Sequence, residues 1–365
     1  MTEFQVRKDK ISQHRVVDAG ITEGSDLADG AVRARIERFA FTSNNVTYAV
    51  TGDRIGYWQF FPPSGNDAAA WGMIPVWGFA EIVQSNVDDL PVGERLFGYF
   101  PPATYLDMLP TRVSAQRFVD GTAHRSDLPP AYNNYTRVSA EPGYDPATDN
   151  ARMLLWPLYI TSFCLWDALQ DNDWYGARQV VIVSASSKTS IGLAYAIDAD
   201  TEAPPTVGLT SQHNLEFVEK LGLYQQSVTY DDLTNIDASV PTVIVDMAGN
   251  GEVMGRLHTH LNDNMCFCIK VGLTHWDDTE AGAGIITERS KFFFAPSHIQ
   301  KRIQDWGPDG FAKKSSSFMQ EAAMKSHDWL HFKQIDDLRG LDAIYENICG
   351  GRIAANQGLI VEPQN

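Results

Sequence analysis

Cysteine is scarce in this 365-residue sequence: Cys164, Cys266, Cys268 and Cys349 are the only four, and they form neither a CxxC pair nor a His-containing zinc spacing. That spacing argues against structural zinc and leaves buried free thiols, with Cys266 and Cys268 expected on one face of a strand. Long apolar runs are also missing. None reaches about 18 residues, and residues 1–19 alternate charge and polarity without a stretch suited to a signal peptide, so the expected location is the cytoplasm, with no membrane partner. No Lys/Arg run is interleaved with aromatics. With 46 acidic against 29 basic residues, the formal net charge is −17, a field that repels nucleic acid and anionic membranes. An anionic cofactor stays compatible with it only where local donors and positive charge outweigh the global field.

The composition that is present, 44% hydrophobic and 21% charged, is that of a globular chain with room for two domains. From residue 32 to 110 short apolar runs (RARIERFAF, TYAV, WQFFP, VWGFAEIVQS, LFGYF) are separated by Gly, Pro and Asn, which predicts a compact, mostly antiparallel β unit. Residues 129–150, rich in Pro, Tyr, Asn and Asp, read as loop. The pattern then changes. MLLWPLYITSFCLWDAL predicts a buried helix and QVVIVSA a buried strand, followed by alternating helices and strands through MCFCIKVGLT. Repeated β-α-β units with continuously apolar strands imply a parallel, doubly wound sheet. After KFFFAPSHIQKRIQDWG come a Ser/Lys stretch, a helix from about Phe318 and a last strand in QGLIVEP. The predicted fold class is therefore α/β, with a β domain over 1–149, a dinucleotide-binding domain over 150–295 and a segment over 296–365 returning to the first.

The turn Val183-Ser-Ala-Ser-Ser-Lys-Thr-Ser-Ile-Gly-Leu193 lies where a dinucleotide's pyrophosphate meets a helix N-terminus. It is poor in the residue that such turns use most. Of the usual glycines only Gly192 is present, for close helix–strand packing; Ser186 and Thr189 stand where glycines allow close approach, and with Ser187 they offer hydroxyl donors instead. Lys188 is the informative residue, because a cation in a helix's first turn is disfavoured by roughly 0.3–1 kcal/mol unless an anion sits there. A solvated lysine behind an ordinary Ser cap is the competing reading. A P-loop is rejected, since Ser187 and Ile182 occupy its glycine positions. The second strand ends Thr210-Ser211-Gln212-His213 with no acidic tip for a ribose 2′-hydroxyl, which points to NADPH over NADH, with Thr210, Ser211 and His213 around a 2′-phosphate. The later strand ends, Asp246 to Gly249 and Val271 to Thr274, are expected to edge the cofactor cleft.

The order of elements, together with TSIGLAYA, VGLTSQHNLEFVEKLG and VDMAGNGEVMGRL, resembles the medium-chain dehydrogenase/reductases, especially their zinc-free enone and quinone reductases. GFAEIVQSNVDDLPVGERLFGY is similar to a strand pair of prostaglandin-reductase-like members. IPVWGFAEIV, LPPAYNNYTR, PLYITSF and SASSKTSIGLA resemble more strongly still the DUF2855 branch of that superfamily. The resemblance implies a GroES-like first domain, a Rossmann-type second domain and NADPH as cofactor.

Zinc-dependent relatives carry a Gly-His-Glu where this chain reads Trp77-Gly78-Phe79-Ala80-Glu81, so no catalytic metal is expected. Without a Lewis acid, reduction of a conjugated alkene or quinone is the easier chemistry, and the substrate expected is a small, apolar or conjugated carbonyl compound. In the segment from Asn44 to Tyr48, similar to the family's loop facing the nicotinamide, Tyr48 is a candidate proton donor; Tyr57 and Asn44 are carried beside it. Tyrosines in such a domain also serve as packing, and Asn44 and Asn45 as turn formers. Trp58, Phe60, Phe61, Trp77 and Phe79 are read as core or as the lining of an apolar pocket. Two further functions stay open: a lyase or retro-aldol-type enzyme that uses the dinucleotide transiently or not at all, and a non-enzymatic NADPH-binding sensor. The segment around Trp306 is either a cover over the active site or the interface of a homodimer.

Overall fold

The computed structural model describes residues 1–271 and 284–363. It divides into two units, Met1–Leu154 with Leu330–Asn365, and Leu155–Trp329.

The first unit opens with an antiparallel pair, β1 (Thr2–Arg7) and β2 (His14–Asp18), followed by β3 (Val32–Phe41). The next segment corrects the sequence reading. TYAV is helical, within α1 (Ser43–Val50), because Thr42 accepts the Asn44 N–H at 3.1 Å while the Asn45 side-chain oxygen accepts the Thr42 N–H at 2.8 Å. This reciprocal cap starts a helix where a short apolar run between turn residues suggested a strand. After the short α2 (Gly52–Ile55), Gly56 at φ 87 turns the chain into a single 3-10 turn, Tyr57–Gln59, so WQFFP is not a strand either. Then come β4 (Trp71–Gly72), β5 (Val76–Ser85), β6 (Arg95–Phe100), β7 (Tyr105–Met108), β8 (Pro110–Thr111), β9 (Arg117–Asp120) and β10 (Asn134–Arg137), the last lying inside the stretch read as loop.

Helix α3 (Asp149–Asp171) carries the chain into the second unit. There β11 (Gln179–Val183), α4 (Lys188–Asp198), β12 (Thr206–Thr210), α5 (Leu215–Leu221), β13 (Gln226–Thr229), β14 (Thr242–Asp246), α6 (Gly251–Leu261), β15 (Met265–Lys270) and β16 (Ser290–Phe292) alternate. All six strands are parallel, in the order β13-β12-β11-β14-β15-β16. Counted from β11 this is 3-2-1-4-5-6, the Rossmann order, with its switch point between β11 and β14. Val180 and Ile182 of β11 pack with α3 and α4 on one face, while Val181 and Val183 pack with α6 on the other, as strands covered on both sides require. One thiol expectation fails here. A register shift between β14 and β15 pairs Thr242 with Met265 but Val243 with Phe267, which skips Cys266. The bulge puts Cys266 and Phe267 on the α3/α4 face and Cys268 on the α6 face, so the two cysteines do not share one.

The Ser/Lys stretch is helical as well: α7 (Ala295–Ser326) runs through it and breaks only at Gly307, φ 75, immediately before Pro308. Asp167 of α3 anchors α7 by accepting from His298 at 2.6 Å and from Arg302 at 2.5 Å, and Trp306 stacks against Arg302 and Lys314. The chain returns to the first unit with β17 (His331–Ile335), α8 (Leu338–Cys349) and β18 (Gln357–Val361). There β18 pairs with β3 in a sheet ordered β17-β18-β3-β5-β6-β10-β9-β8, with β7 also on β3. Leu338, Leu341, Tyr345 and Ile348 of α8, spaced at 3, 4 and 3 residues, face its core.

His258 on α6 is wholly buried. Its Nδ1 accepts the Ile286 N–H at 3.0 Å, and burial, with Lys270 and Arg289 nearby, lowers the imidazole from 6.5 to about 4. Because the folded state disfavours the proton that the unfolded chain accepts, the contribution is complete above pH 6.5 and is lost as pH falls towards 4. Urea titrations should show the parent losing up to about 3 kcal/mol more than His258→Gln over that window. Equal pH slopes would refute it.

Candidate functional site

In the second unit the β11–α4 connection forms a tight turn at the switch point. Ser184 takes a left-handed backbone, φ 63, a conformation that favours glycine. The Ser187 N–H closes the turn on the Ser184 carbonyl at 2.9 Å, and the Ala185 N–H bonds to the Leu209 carbonyl of β12 at 3.1 Å. Ser187 is the N-cap: its Oγ accepts from Ser190 N–H at 3.1 Å. A helix N-terminus presents its first-turn amides outward, as donors to an anion. Lys188 occupies the first helical position, half-buried, and burial lowers its ammonium from 10.5 to about 8.

Helix α3 braces this turn. Ser162 Oγ donates to the Thr189 carbonyl at 2.8 Å. Gly192 permits that approach, since a Cβ there would lie 2.5 Å from the Tyr159 ring and 2.6 Å from Ser162 Oγ. The close contact that requires glycine is thus with a helix, not with a strand as the motif suggested. Ser186 is buried beside the cap.

Thr210 ends β12, and its buried hydroxyl has no hydrogen-bond partner among the described residues. A hydroxyl left unpaired at that strand tip fits a ligand that brings its own acceptors, such as a nucleotide ribose or phosphate. Ser211 follows as the cap of a 3-10 turn on which His213 is exposed. Val271, beyond β15, donates its N–H to the Asp246 carbonyl at 2.8 Å, and Asp246 Oδ1 accepts the N–H groups of Ala248 and Gly249, each at 2.9 Å. Thr274 lies outside the described residues. Sequence reasoning missed Tyr224, whose hydroxyl donates to the Ala185 carbonyl at 2.8 Å, and Tyr230, which has Ser184 as its polar neighbour. The glycine inside TVGLT was the available signal, because strand glycines mark close approach.

In the first unit Asn44, Tyr48 and Tyr57 come together. The Tyr48 and Tyr57 rings are 4.7 Å apart, and the Tyr48 hydroxyl has Asn44 and Trp77 as polar neighbours. Tyr57 shares a 3.0 Å hydroxyl contact with Tyr132, which stacks near Tyr99. Burial pushes all four phenols above their ordinary range. The Trp77 indole N–H and the Tyr99 hydroxyl are buried without hydrogen bonds of normal geometry among the described residues. Tyr99 and Tyr132 had no place in the sequence reading, since neither a strand tyrosine nor a loop tyrosine carries a local signal. Trp58 is core, filling the space over Gly52 and Gly72. Phe79 is fully buried, with the Arg95 guanidinium 4.4 Å from its ring centroid. Among the described residues no three His, Cys, Asp or Glu side chains are grouped to hold a metal ion, and no helix is long and apolar enough to cross a membrane.

Residues 39–354 match the family described as "Protein of unknown function (DUF2855)". No curated protein matches. Among solved structures the chain is similar to CurA in complex with NADPH from Vibrio vulnificus, over 100% of both chains, at 10% identity and a TM-score of 0.67. It is also similar to a putative NADPH:quinone reductase from Bacillus thuringiensis, at 13% identity and a TM-score of 0.54 over 100% of this chain and 99% of that one. A third likeness is to JamJ enoyl reductase, at 11% identity and a TM-score of 0.55 over the same shares. These are likenesses of fold, and they match the GroES-like plus Rossmann-type architecture.

Gly192→Ala tests the packing beneath the turn. The added methyl should destabilise the protein by roughly 1–3 kcal/mol, the usual range for overpacking, read as a lower urea midpoint at unchanged m. A shift below about 0.5 kcal/mol would mean that α3 can retreat without loss.

Proposed function

We propose, from the premise that this chain belongs to the DUF2855 family, that it is a zinc-independent, NADPH-dependent oxidoreductase reducing an activated double bond in an enone, enoyl compound or quinone. The observation that carries this reading is Lys188: a half-buried ammonium on the first turn of a helix, at the switch point of a Rossmann-ordered sheet. Both the helix dipole and burial oppose a cation there, and a bound pyrophosphate relieves both.

In this reading Lys188, the hydroxyls of Ser186, Ser187 and Thr189, and the first-turn amides hold the pyrophosphate, with Gly192 allowing the helix to sit close. Thr210, Ser211 and His213 take the 2′-phosphate, the unpaired Thr210 hydroxyl being the strongest of these assignments. Val271 edges the same cleft. NADPH supplies the hydride equivalent. Tyr48 supplies the proton: burial keeps its phenol protonated at neutral pH, Asn44 orients the hydroxyl, and the pair Tyr57–Tyr132 backs the ring. The substrate is a small conjugated carbonyl compound, and the chain works in the cytoplasm, with a homodimer as its assembly.

Three outcomes are expected. NADPH should raise the melting temperature more than NADH at equal concentration, because β12 offers hydroxyls and no carboxylate at its tip; equal stabilisation would remove the NADPH assignment. Lys188→Ala should weaken NADPH binding at least tenfold, the loss expected for a charge-assisted contact. In the parent, affinity should also decline as pH rises through about 8, where the Lys188 ammonium loses its proton, and that decline should vanish in Lys188→Ala. Calorimetric titration across pH reads both. Finally, NADPH absorbance should bleach with a member of an enone and quinone panel, and Tyr48→Phe should slow that turnover by roughly 10²–10⁴-fold while leaving NADPH binding intact. Product formed without net NADPH consumption would replace the reductase with a lyase on the same fold.

A further inference from the structure

The turn that opens α4 contains no glycine from Ser184 to Ser187, yet Ser184 holds a left-handed backbone that an L-residue disfavours by roughly 1–2 kcal/mol. Something must stabilise the turn. The glycine is displaced by one strand: Gly208, in the middle of β12, leaves the space in which the Tyr224 ring lies. A Cβ at Gly208 would come within 2.8 Å of that ring and 3.0 Å of the Ala185 methyl. From this seat the Tyr224 hydroxyl donates to the Ala185 carbonyl at 2.8 Å.

We infer that Tyr224 is a positioning residue: by pinning the Ala185 carbonyl it sets the Ser184–Ser187 turn in advance and aims the Ser186 amide at the dinucleotide phosphates. The argument follows from peptide geometry. In a trans peptide the C=O and the following N–H point in opposite directions. Fixing the Ala185 oxygen on Tyr224 therefore turns the Ser186 N–H away from Tyr224. If the pin is lost, Ser184 can relax to negative φ, which rotates the neighbouring peptide planes. A hydrogen bond from a tyrosine thus does the work that conformationally free glycines do in other phosphate-binding turns. The inference rests on the dinucleotide reading of that turn.

The test uses four full-length proteins: the parent, Tyr224→Phe, Ser184→Gly and the double variant. Each is measured for NADPH affinity by calorimetry, for melting temperature, and, without ligand, for amide hydrogen exchange over residues 184–189. Tyr224→Phe keeps the ring and removes only the donor. It should weaken NADPH binding about five- to tenfold and speed exchange in the turn. Ser184→Gly alone should bind like the parent. The double variant should recover affinity to within about threefold of the parent, because glycine holds the left-handed backbone without a pin. A Tyr224→Phe protein that binds and exchanges like the parent would overturn the inference and leave the dinucleotide reading standing. Loss of affinity that Ser184→Gly does not restore, with an equal fall in melting temperature in both backgrounds, would also overturn it, because the tyrosine would then be ordinary packing. If the parent does not bind NADPH while Tyr224→Phe still speeds exchange and adding Ser184→Gly to it restores slow exchange, the dinucleotide reading falls and the pin stands.

Discussion

A helix N-terminus and a buried surface both reject a cation, and the second unit puts Lys188 where the two conditions meet. The turn beside that position is held from several directions. The Ser187 hydroxyl accepts from the Ser190 amide and so caps the helix. Helix α3 comes close enough for Ser162 to take the Thr189 carbonyl, and only the missing side chain at Gly192 permits this. Strand β12 gives up a side chain at Gly208 so that a tyrosine can reach the turn from the other direction.

The first unit treats polar atoms differently. Its phenols are gathered into a dry cluster in which ionisation is opposed by burial and by one another. Such hydroxyls remain donors over the whole physiological range. The cluster does not saturate its own hydrogen bonds: among the described residues the Trp77 indole and the Tyr99 hydroxyl lack hydrogen bonds of normal geometry, while Asn44 and Tyr57 have neighbours. One buried cluster of the same unit is closely paired. Arg125 meets Asp120 at 2.6 Å and also bonds Asn133 and the Tyr135 hydroxyl.

Much of the fold was legible because the buried parallel strands announce themselves. QVVIV and TVIVD are apolar at nearly every position, as strands with two covered faces must be, and the helices between them keep their period. What escaped depends on single contacts. TYAV reads as a short apolar run between turn residues, but the Thr42–Asn45 cap decides for a helix. Cys266 and Cys268 have strand spacing, and one skipped pairing separates them. In the site, Lys188 and Thr210 could be named because they sit at fixed offsets from strand ends. Tyr224 and Tyr132 could not, since they arrive from loops and only the tertiary structure says what they touch.

The sheet of the first unit has a consequence for the order in which the molecule is made. Its β3 ends at Phe41, and the strand that covers one of its edges, β18, begins only at Gln357. The six parallel strands of the second unit are drawn from one uninterrupted stretch between them. During synthesis from the N-terminus, that inserted sheet can close while the first is still missing its last two strands. Until β18 emerges, β7 covers Val32 to Arg35 of that edge while the Phe39–Phe41 end of β3 is left without its partner. The pairing that completes the first unit is thus a long-range one, between strands near opposite ends of the chain, that no local propensity can hasten.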